Sequence, residues 1–143
     1  MKQVTAKMKI RKPAHDVFEA FVDPDKIGEF WFSSSSERWE QGKTITLRYE
    51  EYNATAVMKV LELVPDRKIV IAGTPMEEEL TSTFELTELE DGSTLIEVTE
   101  TGFREDETLV DRMLGQQAGW VYVLTCLKAY LEFGANLRGA LVH

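Results

Sequence analysis

The chain has 143 residues, of which 43% are apolar and 29% charged, with a net charge of -9 at pH 7. That is enough chain for one globular domain across residues 1–143 with a sizeable core, and its acidic balance excludes an extended nucleic-acid surface. A lone cysteine, Cys126, excludes an internal disulfide, and two well-separated histidines give no zinc-type ligand set, so neither metal nor cofactor is expected.

Residues 1–13 are basic but lack the apolar stretch of a signal peptide. Val4, Ala6, Met8 and Ile10 alternate with polar residues, which predicts a half-buried strand. Pro13 opens a helix whose apolar face is Ala14, Val17, Phe18 and Phe21, with Asp16 in its first turn. Asp23-Pro24 ends it and starts a second short helix carrying Ile27, Phe30 and Trp31 on one side. Ser33 to Ser36 read as a loop.

Five strands are expected next. Ile45, Leu47 and Tyr49 alternate, then Ala54, Ala56, Met58 and Val60. Pro65-Asp66 turns the chain into an apolar run from Ile69 to Ala72, which Gly73-Thr74-Pro75 breaks. Glu77, Glu78 and Glu79 read as a solvated loop. Ser82, Phe84 and Leu86 share a face, Asp91-Gly92 signals a hairpin, and Ile96 and Val98 return with Glu100 in phase.

Thr108 to Leu137 holds no proline, and Met113, Gln117, Trp120, Leu124, Leu127, Leu131 and Gly134 step by fours and threes. This is one face of a long helix, with Thr108 and Asp111 near its start and Gly134, Asn136 or Gly139 at its stop. No stretch approaches the ~18 apolar residues of a membrane span, so a cytoplasmic protein is expected. One strand, two helices, a run of strands and a final helix predict an α+β fold. A curved antiparallel sheet gripping the last helix leaves a cavity between them.

Lys12-Pro13-Ala14 through Trp31, Thr83-Phe84-Glu85-Leu86, Asp91-Gly92, Thr101-Gly102-Phe103 and Gly119-Trp120 occur in the order of a known family. In these motifs the chain resembles the activator of 90-kDa heat-shock protein ATPase homologue-like family, within the START and birch-pollen-allergen-like superfamily. The resemblance runs over nearly the whole chain and implies a helix-grip fold with an internal cavity for a hydrophobic or amphipathic molecule, lipid-like or aromatic. Phe32 and serines stand where many members have Gly-Pro, and Glu100 stands where many have histidine. Both departures fall at the expected cavity, so ligand identity does not transfer.

Candidate ligand-binding residues are the aromatics Trp31, Trp39, Tyr49, Phe84, Phe103 and Trp120, with Met58, Met113 and Leu124 beside them. Plain core packing is the commoner role for such side chains. Glu100 points inward by phase, either presenting a carboxylate to a ligand or reaching solvent or a lysine. Gln117 serves the cavity or a sheet backbone group. The leading reading is a small-molecule binding protein. A cyclase- or hydrolase-like enzyme using Glu100 and a chaperone-interacting module are the rivals. Gly115, Gly119, Tyr122, Cys126, Ala129 and Phe133 form an uncharged stripe opposite the gripped face. Either the chain's own segments cover it, or a second copy does, making a homodimer.

Overall fold

The computed structural model describes residues 2–74 and 78–139. The alternating segments form one antiparallel sheet of seven strands: β1 (Gln3–Ile10), β2 (Ser34–Ser35), β3 (Thr44–Tyr49), β4 (Ala54–Val64), β5 (Lys68–Gly73), β6 (Leu80–Glu88) and β7 (Thr94–Thr101). Their spatial order is β1-β7-β6-β5-β4-β3-β2, so β1 and β2 are the edges. One helix, α1 (Ala14–Val22), follows the first strand, and the long α2 (Leu109–Phe133) closes the chain's regular structure. This is a helix-grip α+β fold. Among the described residues no helix is long and apolar enough to cross a membrane.

The strand phases follow the side-chain alternation. Leu80, Ser82, Phe84 and Leu86 on β6 are buried, as are Thr94, Ile96, Val98 and Glu100 on β7. The hairpin between them is set at its tip by Gly92 at φ +84, while Asp91 accepts the Ser93 N–H at 3.0 Å. That hydrogen bond, helped by Lys9, holds the Asp91 carboxyl down at about 2. A register shift between Val60 and Glu62 interrupts the β4–β5 ladder. Such bulges bend a strand and add twist, which helps curve the sheet.

Helix α2 is fastened along one edge. Gln117 Nε2 donates to the Thr5 carbonyl at 2.6 Å, Lys128 Nζ to the Lys9 carbonyl at 2.7 Å, and Arg11 N–H to Glu132 at 2.9 Å. These bonds satisfy backbone groups along the edge strand β1, which would otherwise offer a template for another chain. Gln117 is thereby a partner of the sheet backbone. Leu124 and Leu127 are fully buried beneath the helix. Because the helix is tied down at β1, it diverges from the far strands and leaves space over β3, β4 and β5.

Several local expectations are corrected. The second short helix is a single 3-10 turn, Ile27–Glu29, because the chain must swing at once toward β3. Pro13 is the cap before α1 rather than its first residue. Ser33 to Ser36 are not a free loop: Ser34 and Ser35 pair with Arg48 and Leu47, and Ser36 Oγ accepts the Thr46 N–H at 3.0 Å. Ser33 Oγ likewise accepts the Glu50 N–H at 2.8 Å, so serine hydroxyls extend the pairing of this two-residue strand at both ends. Helix α2 stops at Phe133, where Gly134 takes φ +66 and its N–H donates to the Tyr130 carbonyl.

Thr108 does not cap α2 with its side chain; its hydroxyl donates to Asp106 Oδ1 and accepts from Arg112 Nε. The acidic run is likewise different from a solvated loop. Glu78 is 3% exposed, accepts the Arg104 N–H at 2.7 Å and pairs with Arg112 Nη1. Arg112 also reaches Asp106 at 2.9 Å, so one guanidinium ties the approach to β6 to the first turn of α2. Glu79 is exposed, and Pro75 and Glu77 lie outside the described residues.

Burial alone would raise the Glu78 carboxyl, but Arg112 and the Arg104 N–H outweigh it and hold it below its ordinary 4.5. A carboxyl depressed in the folded state adds stability above its unfolded value and loses it as pH falls through the folded value. Arg112→Gln should therefore lower Tm at neutral pH. The gap from the parent should shrink as pH drops below 4.5, because protonation removes what Arg112 protects. Calorimetric melts across that range check this; a gap independent of pH would dissociate Arg112 from Glu78.

Candidate functional site

The space between α2 and the far strands is a cavity of about 880 Å3. Its walls come from every direction the fold allows. Phe30, Trp31 and Phe32 arrive from the segment after α1, Tyr49 ends β3, and Met58 lies on β4. Ile71 comes from β5, Leu80 and Ser82 from β6, Glu100 from β7, and Gln116, Trp120 and Val123 from α2. Exposed Glu51, Tyr52, Thr55 and Val57 stand toward the rim.

Trp31 is the centre of the aromatic wall. Its ring meets Trp120 edge-on at 5.3 Å, Phe32 at 4.8 Å, and Phe84 at 6.2 Å. Edge-to-face and tilted pairs at these separations are favourable for aromatic quadrupoles. The wall is therefore fixed by packing rather than free to collapse into the cavity. Burial pushes the Tyr49 phenol up to about 12, so at neutral pH it keeps its proton.

The floor is polar at one point. Glu100 is 3% exposed, and its two oxygens are held by three side chains. Oε2 accepts from Ser82 Oγ at 3.0 Å; Oε1 accepts from Gln116 Nε2 at 2.8 Å and Trp120 Nε1 at 3.1 Å. The local sequence explains the convergence. Ser82 lies directly opposite Glu100 in the β6–β7 register, and Gln116 and Trp120 are four apart on one helix face. Both the solvent-reaching and lysine-pairing alternatives for Glu100 are set aside by these contacts.

The rim is tied by Arg138, from the segment after α2. Its Nε donates to the Trp31 carbonyl at 2.6 Å, and Nη2 reaches Ser33 Oγ at 3.2 Å and Glu51 Oε1 at 2.5 Å. The Tyr122 hydroxyl donates to the Leu137 carbonyl, drawing the same segment over the helix. The uncharged stripe is thus divided. Cys126 is fully buried and its thiol is pushed up by burial, Gly119 and Tyr122 line the cavity, and Gly115 and Phe133 stay exposed.

Of the residues singled out by sequence, Trp31, Tyr49, Met58, Glu100 and Trp120 meet around the cavity. Trp39 is packed behind Trp31, 6.3 Å between rings, and its buried Nε1 has no hydrogen-bond partner among the described residues. Phe84 is core, touching Phe21, Trp31 and Trp120. Leu124 is core too, and Met113 is partly buried at the margin of the same core cluster. Phe103 sits beyond Gly102, beside a separate depression with Lys2 and Glu105. Gln117 faces β1 instead.

Sequence reasoning left Phe30, Ser82, Gln116 and Arg138 out of the candidate site, and Phe32 entered only as a departure from the family pattern at the expected cavity. For Gln116 the signal was available: it stands one turn before Trp120, so any strand residue touching Trp120 comes within its reach. Ser82 was readable as well, in phase with Phe84 and one hairpin partner from Glu100. Nothing local pointed to Arg138, which acts through tertiary contacts more than eighty positions away in sequence.

Comparison with known proteins follows the same outline. A protein from Staphylococcus saprophyticus, SSP2350, has 48% identity over 96% of both chains, and its crystal structure superposes with a TM-score of 0.82. The Aha1 dimer from Colwellia psychrerythraea is 22% identical, with 94% of this chain and 98% of that chain covered and a TM-score of 0.79. DynU16, of the dynemicin biosynthetic locus, shares 18% identity over 95% of this chain and 49% of its own, with a TM-score of 0.82. The last two establish fold alone. No curated protein matches the sequence. The model of the family described as Activator of Hsp90 ATPase homolog 1-like protein matches residues 11–132, and the chain belongs to that family.

Proposed function

We propose that this protein binds a small molecule with a mainly apolar body, enclosing it between the sheet and α2. The observation that carries this reading is the cavity of about 880 Å3, walled by aromatics and floored by one buried carboxylate. Ligand sites of roughly 300–1,000 Å3 are typically apolar with a few placed polar groups, and this cavity has that make-up. Trp31 and Trp120 stand in the wall, so an occupant should alter their emission. Saturable titration with anilinonaphthalene sulfonate should change tryptophan fluorescence, and native mass spectrometry of the purified protein should reveal co-purifying molecules. Linear, non-saturable dye uptake together with a bare mass would defeat the reading.

A second reading is favoured by the meeting of Ser82, Glu100 and Gln116 at one point of the cavity. Catalysis needs such convergence, and Glu100 would be its acid or base. Against it, Glu100 is held by three donors, Ser82, Gln116 and Trp120, none of which is an acid or a base at neutral pH. Binding therefore ranks first. Turnover of a bound molecule by the parent, abolished in Glu100→Gln with binding retained, would reverse that order.

A further inference from the structure

We infer that the molecule held in the cavity carries a cationic nitrogen, an alkyl- or arylalkyl-ammonium group, that pairs with Glu100; this rests on the cavity reading above. Three charged side chains line the cavity among the described residues: Glu51, Glu100 and Arg138. Arg138 and Glu51 pair with each other at 2.5 Å, so the rim's charges cancel. Glu100 has no such counterpart. Its partners Ser82, Gln116 and Trp120 are all neutral, and no lysine, arginine or histidine pairs with it among the described residues.

A carboxylate taken out of water is costly unless an opposite charge and hydrogen bonds both compensate it. Here the hydrogen bonds are present and the opposite charge is not. A carboxylate offers about four lone-pair sites, and three are filled. The remaining one is on Oε2, which receives only Ser82 Oγ. An ammonium N–H would fill it and supply the missing charge, in surroundings where weak screening strengthens the attraction. A hydroxyl could fill the same site but would leave the charge unbalanced. An anionic group would be repelled. The body of the ligand would lie along Trp31, Met58, Ile71 and Trp120, which suits a hydrocarbon or aromatic portion.

Three probes of matched shape test this: phenylbutylamine, phenylbutanol and phenylbutyrate, titrated calorimetrically into the full chain at neutral pH. The amine should bind the parent about tenfold or more tighter than the alcohol, with the carboxylate weakest, as charge-assisted hydrogen bonds exceed neutral ones. Glu100→Gln should bring amine and alcohol to within about twofold, while Glu100→Asp keeps the order because it keeps the charge. If the parent binds the alcohol as tightly as the amine, the ammonium assignment falls and the cavity reading stands. An amine preference that survives in a folded Glu100→Gln overturns the assignment in the same way. Should Glu100→Gln not fold, the parent's amine-to-alcohol ratio decides alone. No saturable binding of any of the three overturns both the assignment and the cavity reading.

Discussion

Replacing Trp120 with alanine is expected to destabilise the protein by about 3–5 kcal/mol, the usual cost of deleting a large buried aromatic. The indole is 7% exposed and joins the cavity wall to the core. It meets Trp31 at 5.3 Å and Phe84 at 5.4 Å, both edge-on, and it holds Glu100 through Nε1. Truncation therefore removes packing and one of the carboxylate's three donors together. Trp120→Phe separates the two contributions. It retains much of the ring contact and removes the N–H, so it should cost about 1–3 kcal/mol, the range for a buried acceptor that loses a partner. Urea unfolding of both variants measures the difference. Trp120→Ala losing less than about 1 kcal/mol would show that the ring does not hold the wall.

The same residue shows what sequence could and could not reveal. Stepping by fours and threes put Trp120 on the gripped face, and alternation put Glu100 inward; both patterns are local and survive folding because burial enforces them. Their meeting is not local. It requires the β6–β7 register, the rotation of α2 about its axis, and the anchoring of that helix to β1 through Gln117, Lys128 and Glu132. A one-position change of helix phase would have exchanged Gln116 and Gln117, the first bound to the carboxylate and the second to a strand carbonyl. Adjacent glutamines look alike in a sequence. Only the placement of the two strands they face tells them apart.

Charge was harder to read than apolar pattern. Glu78 is flanked by other glutamates, which in sequence describe a solvated turn, yet it is buried against Arg112. Composition cannot show this, since the cation that compensates Glu78 comes from a distant segment of the chain. Arg138 is the mirror case, a basic residue beyond the last helix that ties Trp31, Ser33 and Glu51 together. Sequence patterns resolved the scaffold because burial of apolar faces repeats with a period. Long-range ion pairs have no period, so the residues that close the cavity's rim were not legible.

Gly102→Ala is expected to be the most disruptive single-methyl substitution near the cavity floor. Gly102 takes φ +105, a region that residues with a Cβ rarely adopt, and strain of this kind costs about 1–3 kcal/mol by itself. A Cβ there would also stand 2.5 Å from the Glu79 carbonyl oxygen and 3.5 Å from Leu80 Cα. Both neighbours are backbone at the entry to β6, so no side-chain rotation relieves the contact. The chain must instead shift where β7 ends, and Glu100 is two residues upstream. A total loss of about 3 kcal/mol or more follows when strain and overpacking act together. Part of the effect should appear at the site, because moving β7 against β6 separates Glu100 from Ser82 and from the donors on α2. Urea unfolding and dye titration of the variant would check both consequences. Unaltered stability would mean that β7 and the Glu79–Leu80 segment can separate freely; lowered stability with parental dye binding would mean that the cavity floor is held independently of this crossing.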